Sequence, residues 1–191
     1  MRRLTMATDF GPSALITPAN GVTVARLAAT PLLLMVILRL GTSWLALGAW
    51  VLLAGTDGLD GWLARRHGTT RSGAFLDPLA DKVLVLGALL ALVDKGRFWW
   101  VPVGFIAVRE VGISVYRSRM ARRGVSVPAR PSAKAKTVLQ DVAVGFALLP
   151  ATGSHHPLVA TTVLWVAVAF AAVSAAQYLL DGRRFVRTAG A

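Results

Sequence analysis

Long apolar runs, separated by short polar or basic stretches, make up most of the chain. Six of them approach the length of about 20 residues that a helix needs to cross the hydrocarbon core of a membrane. They are residues 21–39, 43–65, 73–93, 98–118, 137–153 and 158–180. The fifth run is short, so we expect that helix to be short or tilted. The pattern predicts an all-α integral membrane protein with six transmembrane helices.

Both ends of the chain depart from this pattern. Polar residues, glycine and proline interrupt residues 1–20, which we expect to form a short interfacial segment. The six spans then form a single membrane domain over residues 21–182. Residues 183–191 form a basic tail.

Basic residues are distributed unequally between the two ends of the expected helices. One side holds only Arg39, Lys95 and Arg97. The opposite side holds Arg2, Arg3, Arg65, Arg66, Arg71, Arg117, Arg119, Arg122, Arg123, Arg130, Lys134, Lys136, Arg183, Arg184 and Arg187. Because cytoplasmic loops carry the excess of Lys and Arg, both termini are predicted to be cytoplasmic. The expected location is a bacterial-type inner (plasma) membrane, crossed several times.

Composition agrees with a membrane location. Of 191 residues, 55% are hydrophobic and only 16% are charged, whereas a soluble domain carries about 25% charged residues. The absence of cysteine excludes disulfides and thiolate metal sites. The net charge of +12 comes from basic residues that lie between apolar runs, which argues against a nucleic-acid partner. Anionic membrane lipids and anionic substrates remain, and both can apply.

Four aspartates mark the cytoplasmic ends of the second and third spans. With about 100° per residue, Asp57 and Asp60 share one helix face with Gly61 and Ala64, and Arg65 lies at its edge. In the third span, residues Gly73, Asp77 and Asp81 share a face at spacings of four, and Pro78 between them is expected to allow a kink. The predicted topology places both faces at the same depth.

Buried carboxylates are costly unless they are paired or bound to cations. Four in one place repel each other, and Mg²⁺ or Mn²⁺, which prefer oxygen ligands, would relieve the repulsion. Two such ions would clamp a pyrophosphate. Gly61 and Ala64 leave room for a ligand, and Arg65 suits phosphate oxygens. Two alternatives to a metal site remain. The aspartates can form a solvated network of ion pairs with neighbouring Arg and Lys, or they can line the cation or proton pathway of a transporter.

These residues resemble the motif of the CDP-alcohol phosphotransferases. That motif has the form D-x2-D-G-x2-A-R followed by G-x3-D-x3-D, and every position is filled here, from Asp57 to Arg65 and from Gly73 to Asp81. Within the family, the chain most resembles the bacterial enzymes that make phosphatidylglycerophosphate. The resemblance extends over residues 16–31, 75–82, 109–110, 124–128 and 134–140.

The resemblance implies a six-helix, homodimeric membrane enzyme that moves the phosphatidyl group of CDP-diacylglycerol onto glycerol 3-phosphate and releases CMP. It assigns two metal ions to Asp57, Asp60, Asp77 and Asp81, and makes Asp81 also the general base. It assigns the nucleotide and diphosphate to Gly61, Ala64, Arg65 and Gly73.

A phosphorylated acceptor needs further cations, and four residues are candidates for binding its phosphate: Arg109, Arg117, Lys134 and Lys136. Alternatives exist for each of them. Arg109 lies within an apolar run and can snorkel or pair with an acid on another helix. Its neighbour Glu110 points about 100° away, so a pair within the helix is expected to be poor. The lysines can contact lipid headgroups, and Arg117 can be a positive-inside residue.

Two groups of rival functions remain open at the level of sequence. The same chemistry with phosphatidylglycerol as acceptor would make cardiolipin, and inositol phosphate would give a different phospholipid. A transporter should instead have polar groups spread through the depth of the membrane. Here the spans are largely apolar beyond their cytoplasmic ends.

Overall fold

A computed structural model describes the backbone of residues 18–67, 71–122, 131–153 and 157–189. Side chains are described for residues 20–56, 76–120, 134–152, 158–178 and 180. Over these ranges all regular secondary structure is helical, as the apolar pattern predicts. Its elements are α1 (Pro18–Leu40), α2 (Trp44–His67), α3 (Arg71–Asp94), α4 (Trp100–Arg122), α5 (Pro131–Leu148), α6 (Pro150–Gly153) and α7 (Pro157–Ala189). Most of the expected interfacial segment 1–20 lies outside the described residues.

Proline and glycine set many of the helix boundaries. The helices α1, α5, α6 and α7 all begin at a proline, whose missing N–H is not needed in the first turn. Gly41 and Gly96 follow the ends of α1 and α3 with φ of 60° and 66°, values that favour a residue without Cβ. The Gly41 amide donates to the Ile37 carbonyl at 2.8 Å, which closes the end of α1.

The expected fifth span, residues 137–153, is wrong in its bounds. The helix begins earlier, at Pro131, and ends at Leu148, and the short α6 follows it. Pro150 explains this ending, because its ring cannot continue a helix and clashes with the preceding turn. Pro31 and Pro78, in contrast, lie inside the continuous helices α1 and α3.

Apolar side chains from several helices form the core. α1 packs against α2 and α3, and α7 packs against α4 and α5. Leu33 and Ile37 of α1 meet residues such as Leu92 of α3 in this cluster. The contact between α1 and α3 is close, because a Cβ on Gly87 would lie 3.0 Å from a methyl carbon of Leu34.

The buried face of α1 changes character along its length. Its first half buries Asn20, Thr23, Arg26 and Thr30, and its second half buries leucine and isoleucine. Buried polar residues of the other helices follow the same division. Arg109 and Glu110 lie at the middle of α4, Lys136 in the first half of α5, and Gln140 and Ser174 near the middle of α5 and α7. The buried polar side chains therefore extend from one end of the helix bundle to about its middle, and this half holds the candidate site.

Two helices of the described part are long and apolar enough to cross a membrane. They span Asn20–Leu40 and Leu158–Tyr178, and Trp44–Thr56, the part of α2 whose side chains are described, is a shorter apolar stretch. The length and composition of the described residues therefore do not confirm the predicted count of six spans.

The core makes a testable prediction about Leu92, which is 0% exposed, and Leu90, which is 56% exposed on the same helix. Leu92→Ala leaves a cavity and should lower the free energy of unfolding by about 2–5 kcal/mol. Leu90→Ala is the matched control and should have a much smaller effect. Thermal unfolding of the purified protein in detergent measures both. Equal losses in the two variants would contradict the packing described here.

Candidate active site

The polar half of α1 holds the two helix ends that carry the aspartate motif. The Thr23 hydroxyl donates to Oδ1 of Asp77 at 2.7 Å. One turn along α1, Nε of Arg26 donates to the hydroxyl of Thr56 at 2.9 Å. Thr56 immediately precedes Asp57 in α2. Through these two bonds, α1 fixes the position of both α2 and α3 where the expected site lies.

Two of the four motif aspartates have described side chains, Asp77 and Asp81, and both are partly buried. Carboxylate oxygens are the ligands that Mg²⁺ and Mn²⁺ take, and a hydroxyl that orients a carboxylate is typical around such ions. The bond from Thr23 to Asp77 is of this kind. As far as the side chains are described, this donor set fits the expected divalent metal.

The remaining motif residues lie in helices as predicted. Asp57, Asp60, Gly61, Ala64 and Arg65 belong to the last part of α2. Gly73 belongs to the start of α3. Their side-chain environments are outside the described residues. Among side chains that are described, no group of three or more potential metal ligands comes together.

A buried carboxylate, Glu110, joins α4 to α5. Its Oε1 accepts a hydrogen bond from Nη1 of Arg109 at 2.8 Å and another from Nζ of Lys136. The exposed fraction is 6% for Glu110, 9% for Arg109 and 5% for Lys136. Removing three charged groups from solvent is tolerable because opposite charges meet directly.

The structure corrects the expectation for Arg109. A pair with Glu110 within α4 was expected to be poor, yet the two side chains form an ion pair at 2.8 Å. Both side chains are long enough to span the angle between neighbouring helix positions. The pair is also supported from another helix, since Lys136 of α5 binds the same carboxylate oxygen.

Arg109 is further held by α7. Its Nη2 donates to the hydroxyl of Ser174, and its Nε donates to the carbonyl of Ala171 at 3.4 Å. Arginine has five N–H donors in a fixed plane, which lets one side chain bind a carboxylate, a hydroxyl and a carbonyl together. The Arg109 guanidinium thus links α4 to α7 while Glu110 links α4 to α5.

Lys82, the residue after Asp81, reaches α4. Its Nζ donates to the hydroxyl of Ser114. The Ser114 hydroxyl donates in turn to the carbonyl of Glu110 at 2.5 Å. Lys82 is therefore positioned from α4, and this brings a second lysine to the same region as Lys136.

A small cleft lies between α3, α4 and α5. Its wall consists of four charged residues, one amide and two apolar residues: Asp81, Lys82, Glu110, Lys136, Gln140, Val85 and Leu86. The expected base and one expected acceptor cation, Asp81 and Lys136, therefore face the same space. Their sequence separation of 55 residues is bridged by the packing of α3 against α4 and α5.

The other two expected acceptor residues lie differently. Lys134 is exposed and does not line this cleft. Arg117 is also exposed, and its guanidinium carbon lies 6.0 Å from the ring centroid of Tyr178, at the limit of a cation–π contact. Among the four candidates, the described geometry brings together Arg109 and Lys136.

Several residues of the site were not found from the sequence. The sequence patterns indicate Glu110 only as a poor partner for Arg109, and they indicate no binding role for Lys82. Thr23, Ser114 and Gln140 were given no role. The spacing of Lys136 and Gln140, four residues apart on α5, was the available signal, because it places both on one helix face.

Removal of the Glu110 carboxylate should be strongly destabilising. Glu110→Ala leaves Arg109 and Lys136 buried without their counter-charge, a change that typically costs about 3–5 kcal/mol. Asp94→Ala, which removes an exposed carboxylate from the end of α3, is the control and should change stability little. The unfolding temperature in detergent measures the difference. An unchanged temperature for Glu110→Ala would rule out the carboxylate as the link between α4 and α5.

Comparison with known proteins supports the resemblance seen in the motif. Residues 16–173 match the family model of the CDP-alcohol phosphatidyltransferases. A probable phosphatidylglycerophosphate synthase of Mycobacterium tuberculosis is 38% identical over 173 residues, covering 87% of this chain and 81% of the relative.

Two further relatives carry the name CDP-diacylglycerol–glycerol-3-phosphate 3-phosphatidyltransferase. The protein of Rickettsia bellii is 34% identical over 172 residues, which cover 87% of this chain and 95% of the relative. The protein of Haemophilus influenzae is 40% identical over 129 residues, which cover 65% and 69% of the two chains. The motif, the all-helical fold and these matches agree: the chain belongs to the CDP-alcohol phosphatidyltransferase family and is a membrane-associated phosphatidyltransferase.

Proposed function

We propose that the chain transfers the phosphatidyl group of CDP-diacylglycerol to glycerol 3-phosphate, giving phosphatidylglycerophosphate and CMP. The observation that carries this proposal is the cleft in which Asp81 faces two lysines, Lys82 and Lys136. A carboxylate beside cations suits an acceptor that has both a hydroxyl to deprotonate and a phosphate to hold. The names of the relatives support the same donor and acceptor.

The cations of the site exceed its acids. On the cleft wall, Lys82 and Lys136 balance Glu110 and Asp81. Arg109, which is paired with Glu110 but does not line the cleft, adds one formal positive charge. Glu110 compensates part of the charge in the free enzyme and keeps Arg109 and Lys136 in place. An incoming phosphate dianion then finds cations that are already positioned, which lowers the entropic cost of binding it. Lys134 and Arg117 remain candidates for guiding the acceptor from the surface.

The donor side of the proposal rests on the aspartate motif. Asp57, Asp60, Asp77 and Asp81 would hold Mg²⁺ or Mn²⁺, two ions by analogy with the family, and Gly61, Ala64, Arg65 and Gly73 would receive the nucleotide and diphosphate. Bound metal would supply charge neutralisation at the diphosphate of the donor. The 2.7 Å hydrogen bond from the Thr23 hydroxyl supports this role for Asp77, because it holds the carboxylate in one orientation.

The transfer step can be written with this chain's own groups. Asp81 takes the proton of the acceptor hydroxyl, and the acceptor oxygen attacks the phosphorus that bears diacylglycerol. A bond forms between that oxygen and the phosphorus. The bond from the phosphorus to the oxygen bridging to the cytidine nucleotide breaks, and CMP leaves with the electron pair. Lys82 and Lys136, on the wall of the same cleft, hold the acceptor's phosphate.

The proposed setting is the inner membrane, with α1, α2, α3, α4, α5 and α7 as six spans and with both termini and the site cytoplasmic. Exposed tryptophans support a membrane interface at the end opposite to the polar site: Trp44, Trp99 and Trp100 lie there, at or just before the starts of α2 and α4. Tryptophan is enriched at membrane interfaces. Anionic lipids on the basic side, and a second copy of the chain as homodimer partner, complete the proposal.

An acceptor panel tests the function directly. Purified protein with Mg²⁺ and labelled CDP-diacylglycerol should release CMP with glycerol 3-phosphate, and mass spectrometry should identify phosphatidylglycerophosphate as the product. Chelation of the metal with EDTA should abolish the release, and Mg²⁺ or Mn²⁺ in excess should restore it. Activity only with phosphatidylglycerol or inositol phosphate would show that this alcohol, and not glycerol 3-phosphate, is the acceptor. No CMP release with any alcohol would refute the transferase chemistry.

The role of Asp81 has its own test. Asp81→Asn keeps the size of the side chain but removes its capacity to accept a proton, and general-base catalysis contributes about 10²- to 10⁴-fold in rate. We expect kcat to fall by at least that factor, while Mg²⁺ binding, measured by calorimetry, is weakened and not lost. Asp94→Asn, at the far end of α3, should retain wild-type kcat. Near-normal turnover in Asp81→Asn would remove this residue as the base.

A further inference from the structure

Gln140 is buried in the cleft wall with an unused donor. The residue is 2% exposed, and its Nε2 has no hydrogen-bond partner among the residues that the structure describes. Buried amide groups in proteins are nearly always paired, and an unpaired one is costly. Since Gln140 lines the cleft, a ligand that enters this space is the natural partner for its N–H groups.

Gln140 lies deeper in the cleft than the charged residues of its wall. It follows Lys136 by four residues on α5, which is about 6 Å along the helix axis. Across the cleft, Val85 and Leu86 follow Asp81 and Lys82 by the same interval on α3. The outer layer of the cleft is therefore charged, and the inner layer is apolar except for the Gln140 amide.

A neutral amide and a lysine recognise different parts of a ligand. Ammonium groups are strongly favoured partners for phosphate oxygens, whereas an uncharged N–H donor among apolar side chains suits a hydroxyl oxygen. Asp81 is engaged with the hydroxyl that reacts. The ligand that uses all three groups has a phosphate, a reacting hydroxyl and one further hydroxyl that stays unmodified.

We propose that Gln140 determines acceptor specificity, because its Nε2 donates a hydrogen bond to the non-reacting hydroxyl of the acceptor. This inference rests on the proposed function, in which glycerol 3-phosphate is the acceptor and its middle hydroxyl does not react. Gln140 thus rejects phosphorylated alcohols that lack a hydroxyl at this position, since binding them leaves the buried amide without a partner.

The test compares two acceptors that differ by one oxygen. Glycerol 3-phosphate has the middle hydroxyl, and 3-hydroxypropyl phosphate lacks it. The wild-type enzyme should favour glycerol 3-phosphate in kcat/KM by at least about tenfold, as expected for a lost hydrogen bond that leaves a buried donor unpaired. In Gln140→Met, which conserves the volume of the side chain and removes the donor, the preference should fall to about twofold or less.

The ratio of the two kcat/KM values is independent of how much of a variant is folded, so reduced expression does not obscure the result. Gln140→Glu, of the same size but without N–H donors, is a second variant and should also lose the preference. The control is Gln177→Met on α7, the same chemical change at a residue outside the cleft wall, which should keep the wild-type ratio.

The possible outcomes separate this inference from the function on which it rests. Wild-type turnover of glycerol 3-phosphate with an unchanged ratio in both Gln140 variants would overturn the specificity role alone. Equal use of the two acceptors by the wild-type enzyme would do the same. Absence of wild-type turnover with glycerol 3-phosphate, together with turnover of another alcohol, would overturn the proposed acceptor and the inference together.

Discussion

The buried ion pair around Glu110 is the constraint on which the polar end of the molecule depends. One carboxylate oxygen accepts from Arg109 on the same helix and from Lys136 on α5, and Arg109 continues to Ser174 on α7. Three helices are thereby fixed relative to one another by groups that cannot be left unpaired inside a protein. The cleft lies between α4 and α5, which this ion pair joins, and α3.

A second set of bonds serves the aspartate motif in the same way. Thr23 and Arg26 of α1 bind Asp77 of α3 and Thr56 of α2, so the polar half of α1 aligns the two helix ends. The apolar half of α1 packs in the core through Leu33 and Ile37. One helix therefore provides both the attachment to the core and the orientation of a proposed metal ligand.

The two sets of bonds together explain how an enzyme of this family can assemble a site for two anionic substrates from separate helices. In the proposed function, the donor side uses carboxylates, and the acceptor side uses cations whose charge is partly balanced by Glu110. Asp81 belongs to both, as a motif residue and as part of the cleft wall. Its position between them is what the proposed proton transfer requires.

The sequence by itself determined the helices, the motif and the family, because apolar runs, prolines and fixed motif spacings are local properties of the chain. The predicted bounds are wrong at Pro150, which ends the fifth helix before the apolar run ends. The pairing of Glu110 with both Arg109 and Lys136, and the burial of Gln140 in a shared cleft, were decided by the tertiary structure alone. They depend on the rotation of α4 and α5 about their axes and on how those helices pack, which residue spacing within one helix does not specify.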